Sequence, residues 1–366
     1  MSNQAPPKPR PPAPPLPDPD RGPLPSRGRL IAFALIVVAC LAAGGVYAIR
    51  AERAERKAIQ DAPKVALLTG ADAAELRGKP RLLFRSTALG TDYGKVALAP
   101  LSAPDGPRAL TPIACDRVAY TAGHGLCLAA EQGAVTTYKA FLFDSGFRTT
   151  AELPVSGLPS RARLSPDAKY AVTTVFVSGH SYAGPAFSTE TVVWEVATGK
   201  RVGNLEQVLV VTKDGERFRK ADFNFWGVTF TADDNRFYAT LGSGGKTYLI
   251  EGNLAGRSAR VLRENVECPS LSPDGRRIVF KKRDTGPGPV TWRLHVLDLV
   301  TMTETPLAET RTVDDQVEWL DDEYVLYALN DEGGTAATET WRVRADGMGK
   351  PEFMVRGAFS PAVVTS

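Results

Sequence analysis

The sequence predicts an all-β protein, a six-bladed β-propeller preceded by a proline-rich tail and one apolar segment. Three observations carry that reading. A short turn phrase recurs along the chain, its copies fall near the period of a four-stranded blade, and strands missing from the last unit are present at the start of the domain.

The clearest copy of the phrase is Leu271-Ser-Pro-Asp-Gly-Arg-Arg-Ile-Val-Phe280. A strand ends at Leu271, Ser-Pro-Asp-Gly makes a tight turn, and a second strand leaves through Ile278. Proline fixes φ in such a turn, and glycine is free to take a positive φ. Weaker copies are Leu164-Ser-Pro-Asp-Ala-Lys-Tyr-Ala-Val172, Phe230-Thr-Ala-Asp-Asp-Asn-Arg-Phe237 and Trp319-Leu-Asp-Asp-Glu-Tyr-Val-Leu326. One hairpin cannot bury its own apolar face, whereas a ring of hairpins can.

With Asp167, Asp233, Asp274 and Asp321 as equivalents, the steps are 66, 41 and 47 residues. Blades of four strands repeat every ~40–50 residues. An earlier turn at Gly123-His-Gly125 and a final half-copy, Phe359-Ser-Pro-Ala362, bring the inner strands to six. Third strands of alternating polarity follow at 137–143, 191–196, 247–251, 292–297 and 340–343. The sixth copy has none after Pro361. Its missing strands are supplied by 82–85, 95–101 and 108–110, so the C-terminal strand is expected to complete the N-terminal blade. Such closure removes exposed edges. The oversized first step implies insertions, placed at 177–188 and 206–222.

The turn phrase resembles the repeat of TolB-type propellers. More narrowly, Gly179-His-Ser-Tyr-Ala183, Asn224-Phe-Trp-Gly227, Glu267-Cys-Pro-Ser-Leu-Ser-Pro-Asp274 and Asp314-Asp-Gln-Val-Glu-Trp-Leu-Asp-Asp322 resemble the membrane-anchored TolB-like proteins of actinobacteria. The resemblance covers residues 81–366. It implies a propeller outside the cytoplasm. It does not carry over a role in the Tol outer-membrane system, because the α/β domain that precedes the TolB propeller has no counterpart here. Propellers host many unrelated roles, so the repeat specifies architecture rather than activity.

Residues 1–29 hold 11 of the 28 prolines and show no apolar periodicity. They read as a disordered, polyproline-leaning cytoplasmic tail, a solvated spacer in preference to the alternative of a ligand for an SH3-like reader. Residues 30–49 contain no charge. At ~1.5 Å per residue they span about 30 Å, one hydrocarbon core. A cleaved signal peptide is the rival reading, with Val46-Tyr-Ala48 as its cleavage site. The long proline-rich stretch in front and the length of the apolar run favour an uncleaved signal anchor. Basic residues flank both sides: Arg21, Arg27 and Arg29 before the span, and Arg50, Arg53, Arg56 and Lys57 after it. Taken alone they place the C-terminal side in the cytoplasm. A first apolar segment acts as an export signal, however, and large domains translocate largely regardless of charge. The expectation is a single-pass membrane protein with its N-terminus in the cytoplasm and its propeller outside. Residues 50–80 form the juxtamembrane connector, and the helix formers of 51–57 continue the helix past the bilayer.

Outside the tail, 39 basic residues face 39 acidic ones. A balanced propeller has no global field to draw nucleic acid, so none is expected as a partner. Cys40 lies in the apolar span, and Cys115, Cys127 and Cys268 lie in the propeller. Cys115–Cys127 is the most local pair for a disulfide, and the strand register leaves it open. No metal or other cofactor is expected, because no Cys-x-x-Cys exists and the three histidines are scattered.

The functional argument concerns faces. In a four-stranded blade, the loop between the second and third strands lies on the same side as the loop leading into the next blade. His180, Ser181, Tyr182, Asp222, Asn224, Glu267, Asp314, Asp315 and Gln316 are therefore expected on one rim, a ligand-binding surface on a rigid scaffold. The competing reading has them satisfying loop backbone and solvating the rim. Trp226 and Trp319 read as packing between blades. The turn aspartates fall on the opposite face as turn formers, not metal ligands. Gly179-His-Ser-Tyr-Ala183 resembles a serine-hydrolase elbow, with His295 downstream, but that elbow needs a strand-to-helix turn and the next element here is a strand. The expectation is a monomeric, non-enzymatic propeller binding an envelope protein, peptide or glycan. The alternative is an envelope hydrolase or lyase at the mouth of the channel.

Overall fold

The structure, a computed structural model, describes residues 27–62, 64–133, 135–177, 188–284, 286, 288–331 and 337–365. The chain divides into two compact units, residues 1–60 and 61–366. The first is dominated by the helix Arg27–Asp61, which has no buried residue. It carries the 30–49 stretch without a break and continues through 51–57, as the helix formers there predict. Leu35, Leu41 and Tyr47 are all more than half exposed around it, unlike the core helix of a globular domain. Among the described residues it is the one helix long and apolar enough to cross a membrane, in the manner of an anchor or a signal sequence.

The second unit is a six-bladed β-propeller. Six sheets each run outward from one inner strand, and five of them have four strands. The first blade is made of Arg81–Ser86, Lys95–Pro100 and Ala109–Ala114, with Ala358–Val364 as its inner strand. Leu83 stands opposite Ala362 and Arg81 opposite Val364. The ring is thus closed by the two ends of the domain, as the strand count predicts. Inner strands of the other blades are Arg117–Thr121, Leu158–Leu164, Asn224–Phe230, Glu267–Leu271 and Glu318–Trp319. The second strands are buried on both faces because a blade packs against a neighbour on each side. Ile278, Val279 and Phe280 are successive residues with no exposure.

The turns explain the phrase that marks them. Ser272 Oγ accepts the amide of Arg277 at 3.0 Å, and Asp274 Oδ1 accepts that of Arg276 at 3.0 Å. Gly275 then takes φ +70°. The Ser165 turn is built the same way: Ser165 Oγ accepts the Tyr170 amide at 3.0 Å and Asp167 Oδ1 accepts the Lys169 amide at 2.8 Å. Here Ala168 fills the left-handed position, at φ +58°.

The fourth blade has six strands. The inserted 206–222 stretch begins in a short helical turn, Leu205–Val208, and then forms the hairpin Val210–Lys213 and Glu216–Phe218. Val210–Lys213 adds in parallel to Ser258–Glu264, with Val211 opposite Ala259. The chain leaves the third blade, extends the outer edge of the fourth, and only then enters the channel at Asn224. Phe218 pins the hairpin, its ring 5.1 Å from Phe223 and 5.8 Å from Tyr248. The other inferred insertion, 177–188, falls mostly outside the described residues.

Two local features complete the ring. Cys115 and Cys127 are joined in a disulfide, with Cα atoms 5.5 Å apart, which resolves the pairing the register left open. Part of the expected connector is built into the first blade. The Leu68 amide donates to the Arg108 carbonyl at 2.8 Å, and Leu76 of the helix Gly70–Leu76 packs with Leu83 and Val96.

Candidate functional site

The inner strands do not run straight beside the channel. Register shifts interrupt them at Pro159/Arg161, Trp226/Thr229 and Glu267/Ser270. Such bulges re-aim side chains. Gly227 at φ +62° and Cys268 at φ +50° sit in two of them. A Cβ on Gly227 would lie 2.6 Å from the Cα of Cys268, so this approach of the fourth and fifth blades admits only glycine.

Arg161 and Cys268, at two of these shifts, meet side chains from the second and sixth blades, whose inner strands pair without one. Asp315, before the inner strand of the sixth blade, places Oδ2 2.6 Å from an Arg117 guanidinium nitrogen of the second blade. Its Oδ1 lies 3.4 Å from Nε of Arg161, on the third blade. Arg161 also donates to the Cys268 thiol sulfur at 3.6 Å. One layer further along, Arg163 pairs with Glu318 and donates to the Val317 carbonyl at 3.2 Å. Gln316 donates to the carbonyls of Pro269 at 2.9 Å and Val228 at 3.3 Å. Arg117 is held in place by the Phe359 ring, 4.5 Å below its guanidinium. Burial pushes the Asp315 carboxyl up, but Arg117 and Arg161 outweigh it and hold the group below the ordinary carboxylate value.

These pairs form the floor of a cup of about 630 Å³. Its walls are Thr121, Pro166, Ala232, Pro273, Asp322 and Trp319, so it opens on the face of the Ser-Pro-Asp-Gly turns. Trp319 donates from Nε1 to the Ser270 carbonyl at 2.9 Å, joining the sixth blade to the fifth while lining the cup. Trp226 is likewise buried.

The residues expected on the opposite rim fall into separate groups. His180, Ser181 and Tyr182 lie outside the described residues. Asp222 and Asn224 stand where the insertion enters the fourth blade. Asp222 accepts Ser243 Oγ at 2.8 Å and the Gly244 amide at 2.6 Å, and Asn224 Oδ1 accepts the Thr189 amide at 2.7 Å. Glu267 and Asp314 both pair with the buried Lys281, and Glu267 also accepts Nε1 of Trp292 at 3.1 Å. Of this channel group only Asp314 is exposed. Asp315 and Gln316 lie deeper, in the floor itself. His295 stands on a third strand with Nδ1 2.9 Å from Glu304.

The arginines of the floor were not singled out from the sequence. Their signal was present: Arg161-Ala-Arg163 puts two cations at alternate positions of an inner strand, both aimed at the channel.

Comparison with solved structures agrees with this architecture. TolB from Acinetobacter baumannii aligns with a TM-score of 0.55 at 16% identity, over 78% of this chain and 66% of the TolB chain. The chain thus spans about two thirds of the length of that protein. A structure of the nidogen/laminin complex aligns with a TM-score of 0.52 at 12% identity, over 78% of this chain and 98% of that one. At these identities the likeness is one of fold, a β-propeller resembling that of TolB. No protein family matches the sequence, and no curated protein does.

Proposed function

We propose that this protein is a membrane-anchored, non-enzymatic binding propeller of the cell envelope, of the kind found among the actinobacterial TolB-like proteins. Its ligand is a segment of an envelope protein, a peptide or a glycan, taken at a mouth of the channel. The observation that carries this reading is the floor of the cup. Asp315 and Glu318, its two carboxylates, are engaged by arginines. A carboxylate held ionised by two guanidinium groups is a poor proton donor or acceptor near neutral pH. The same floor suits recognition, because it offers paired charge beneath walls of tryptophan and proline. On the other side, Asp314 guards the second mouth with Glu267 and Lys281 behind it.

Two features support an extracytoplasmic position. One is the exposed apolar helix Arg27–Asp61. The other is the Cys115–Cys127 disulfide, a bond that persists in oxidising compartments.

Topology is tested by fusing alkaline phosphatase, active only after export, beyond Ser366. High phosphatase activity is expected, and a silent fusion would place the propeller in the cytoplasm. The binding face is tested by photo-crosslinkers at Asp322 on the turn face and, on the other, at Lys246, exposed where the second and third strands of the fourth blade join. Defined adducts with envelope components are expected from a channel mouth. Turnover of an envelope polymer that is lost on Asp315→Asn, with the fold retained, would instead establish the enzyme reading.

A further inference from the structure

The insertion builds a second cavity, of about 560 Å³, away from the cup. Its back is Thr189, Asn204 and Glu206, its apolar lining is Leu209, Phe218 and Phe223, and Arg217, Arg219 and Lys220 stand along one wall. The charges on its walls are unequally satisfied. Glu206 accepts Thr189 Oγ1 at 3.0 Å and the Thr191 amide at 2.9 Å. Glu190 accepts Asn204 Nδ2 at 3.2 Å, and Asp222 is held by Ser243 and Gly244. The acids are therefore spent on the protein's own donors. Lys213, just outside, lies within 4 Å of Asp214 and Glu264. Among the described residues Arg217, Arg219 and Lys220 have no such ion pair, and Lys220 acts on Asp222 only from further away. The stretch that precedes Ser188 in sequence, 178–187, Ser-Gly-His-Ser-Tyr-Ala-Gly-Pro-Ala-Phe, contains no Asp or Glu.

The same wall carries an open sheet edge. Among the described residues Glu216–Phe218 is the outermost strand of its sheet and is paired on one side only, with Val210–Lys213. Its outer backbone groups are left for another strand. An extended peptide can pair with such an edge and set alternate side chains into an adjoining pocket.

We propose that the insertion is a docking site for an extended acidic polypeptide segment. The segment adds as a strand to Glu216–Phe218, sets its carboxylates against Arg217, Arg219 and Lys220, and places apolar side chains against Leu209, Phe218 and Phe223. Charge complementarity selects an acidic partner, and the free strand edge selects a polypeptide over a lipid headgroup. The site is independent of the channel, so it stands or falls apart from the reading above.

The experiment uses the full chain in detergent micelles and a display library of random dodecapeptides. Enriched peptides are expected to carry Asp or Glu alternating with apolar residues. The selected peptide should bind about 30-fold more weakly to an Arg217→Ser/Arg219→Ser/Lys220→Ser variant, given modest contributions from three exposed pairs. A copy with alternate backbone amides N-methylated should also bind at least about tenfold more weakly, because it cannot complete a ladder. Circular dichroism of the variant checks that the propeller is intact. Absence of acidic enrichment overturns the proposal, as does binding indifferent to the three substitutions or to N-methylation. Phosphatidylglycerol vesicles serve as a separate arm. Capture by vesicles through the same three residues, without capture of peptide, would make this a lipid site.

Discussion

Arg161 and Asp315 reach one another across the propeller from the third blade to the sixth, Nε to Oδ1, at 3.4 Å. Blades related in this way share no strand pairing, so the ion pair is a strut across the ring. Arg117 adds a second strut to the same carboxylate at 2.6 Å. Removing the carboxylate leaves two partly buried guanidinium groups facing each other. Asp315→Asn should therefore lower unfolding free energy by about 3 kcal/mol, the usual cost of breaking a buried pair by removing one partner. Urea titration measures it. Glu323→Gln, at an exposed pair with Arg344, should change stability by less than about 0.5 kcal/mol and serves as the contrast. Equal effects would show that the struts bear no more than a surface pair.

Ala168 holds φ +58° where the clearest turn has Gly275 at φ +70°. A left-handed conformation costs a residue with Cβ roughly 1–2 kcal/mol. Ala168→Gly should stabilise the protein by about 1 kcal/mol, less the added freedom of the unfolded chain, and Gly275→Ala should destabilise it by a similar amount. Thermal midpoints moving in opposite directions for the two variants are the expected result.

The Cys115–Cys127 bond closes a loop between residues 12 apart. Loop-closure entropy assigns such a bond about 3 kcal/mol. Cys115→Ser/Cys127→Ser should lower the denaturation midpoint and abolish its sensitivity to dithiothreitol. Cys268→Ala, which leaves the disulfide untouched, should retain that sensitivity.

Burial raises the Glu206 carboxyl from 4.5 to about 7, against the donors Thr191, Thr189 and Phe225. The folded chain thus keeps a proton that the unfolded chain releases. This contribution is fully present below pH 4.5 and is lost as pH rises through about 7. Its slope approaches ~1.4 kcal/mol per pH unit inside that window. Stability measured between pH 5 and pH 7 should fall less steeply in Glu206→Gln than in the parent, whatever the absolute offset between them. Parallel profiles would remove Glu206 as the titrating group.

The fold was legible because its signal is local. A turn such as Ser272–Arg277 hydrogen-bonds within a few residues, so its sequence marks it wherever it occurs. Closure was legible from counting strands. The floor of the cup was not, because it joins Arg163 to Glu318 and Arg117 to Asp315, residues 155 and 198 positions apart. Such pairs exist only once the ring has formed, and the shift at Pro159/Arg161 that precedes Arg161 is likewise a property of the paired strands. Sequence reasoning also treated the turn face as scaffold alone. Asp274 does brace its own turn, yet Pro273 and Asp322 wall the cup on that same face. The insertion was located correctly at 206–222, but composition gives no sign that it extends the edge of the following blade rather than its own.

The seam between Arg81–Ser86 and Ala358–Val364 also sets an order of events. A chain made from its N-terminus emerges with the first blade short of its inner strand, Ala358–Val364. Five blades can stack while the ring stays open, with the edge of Arg81–Ser86 unpaired, until residues 358–364 have been made and are free to pair. Fragments that end before Ala358 should therefore be sticky and short-lived rather than simply less stable. Completion of the ring thus waits on seven residues at the far end of the domain.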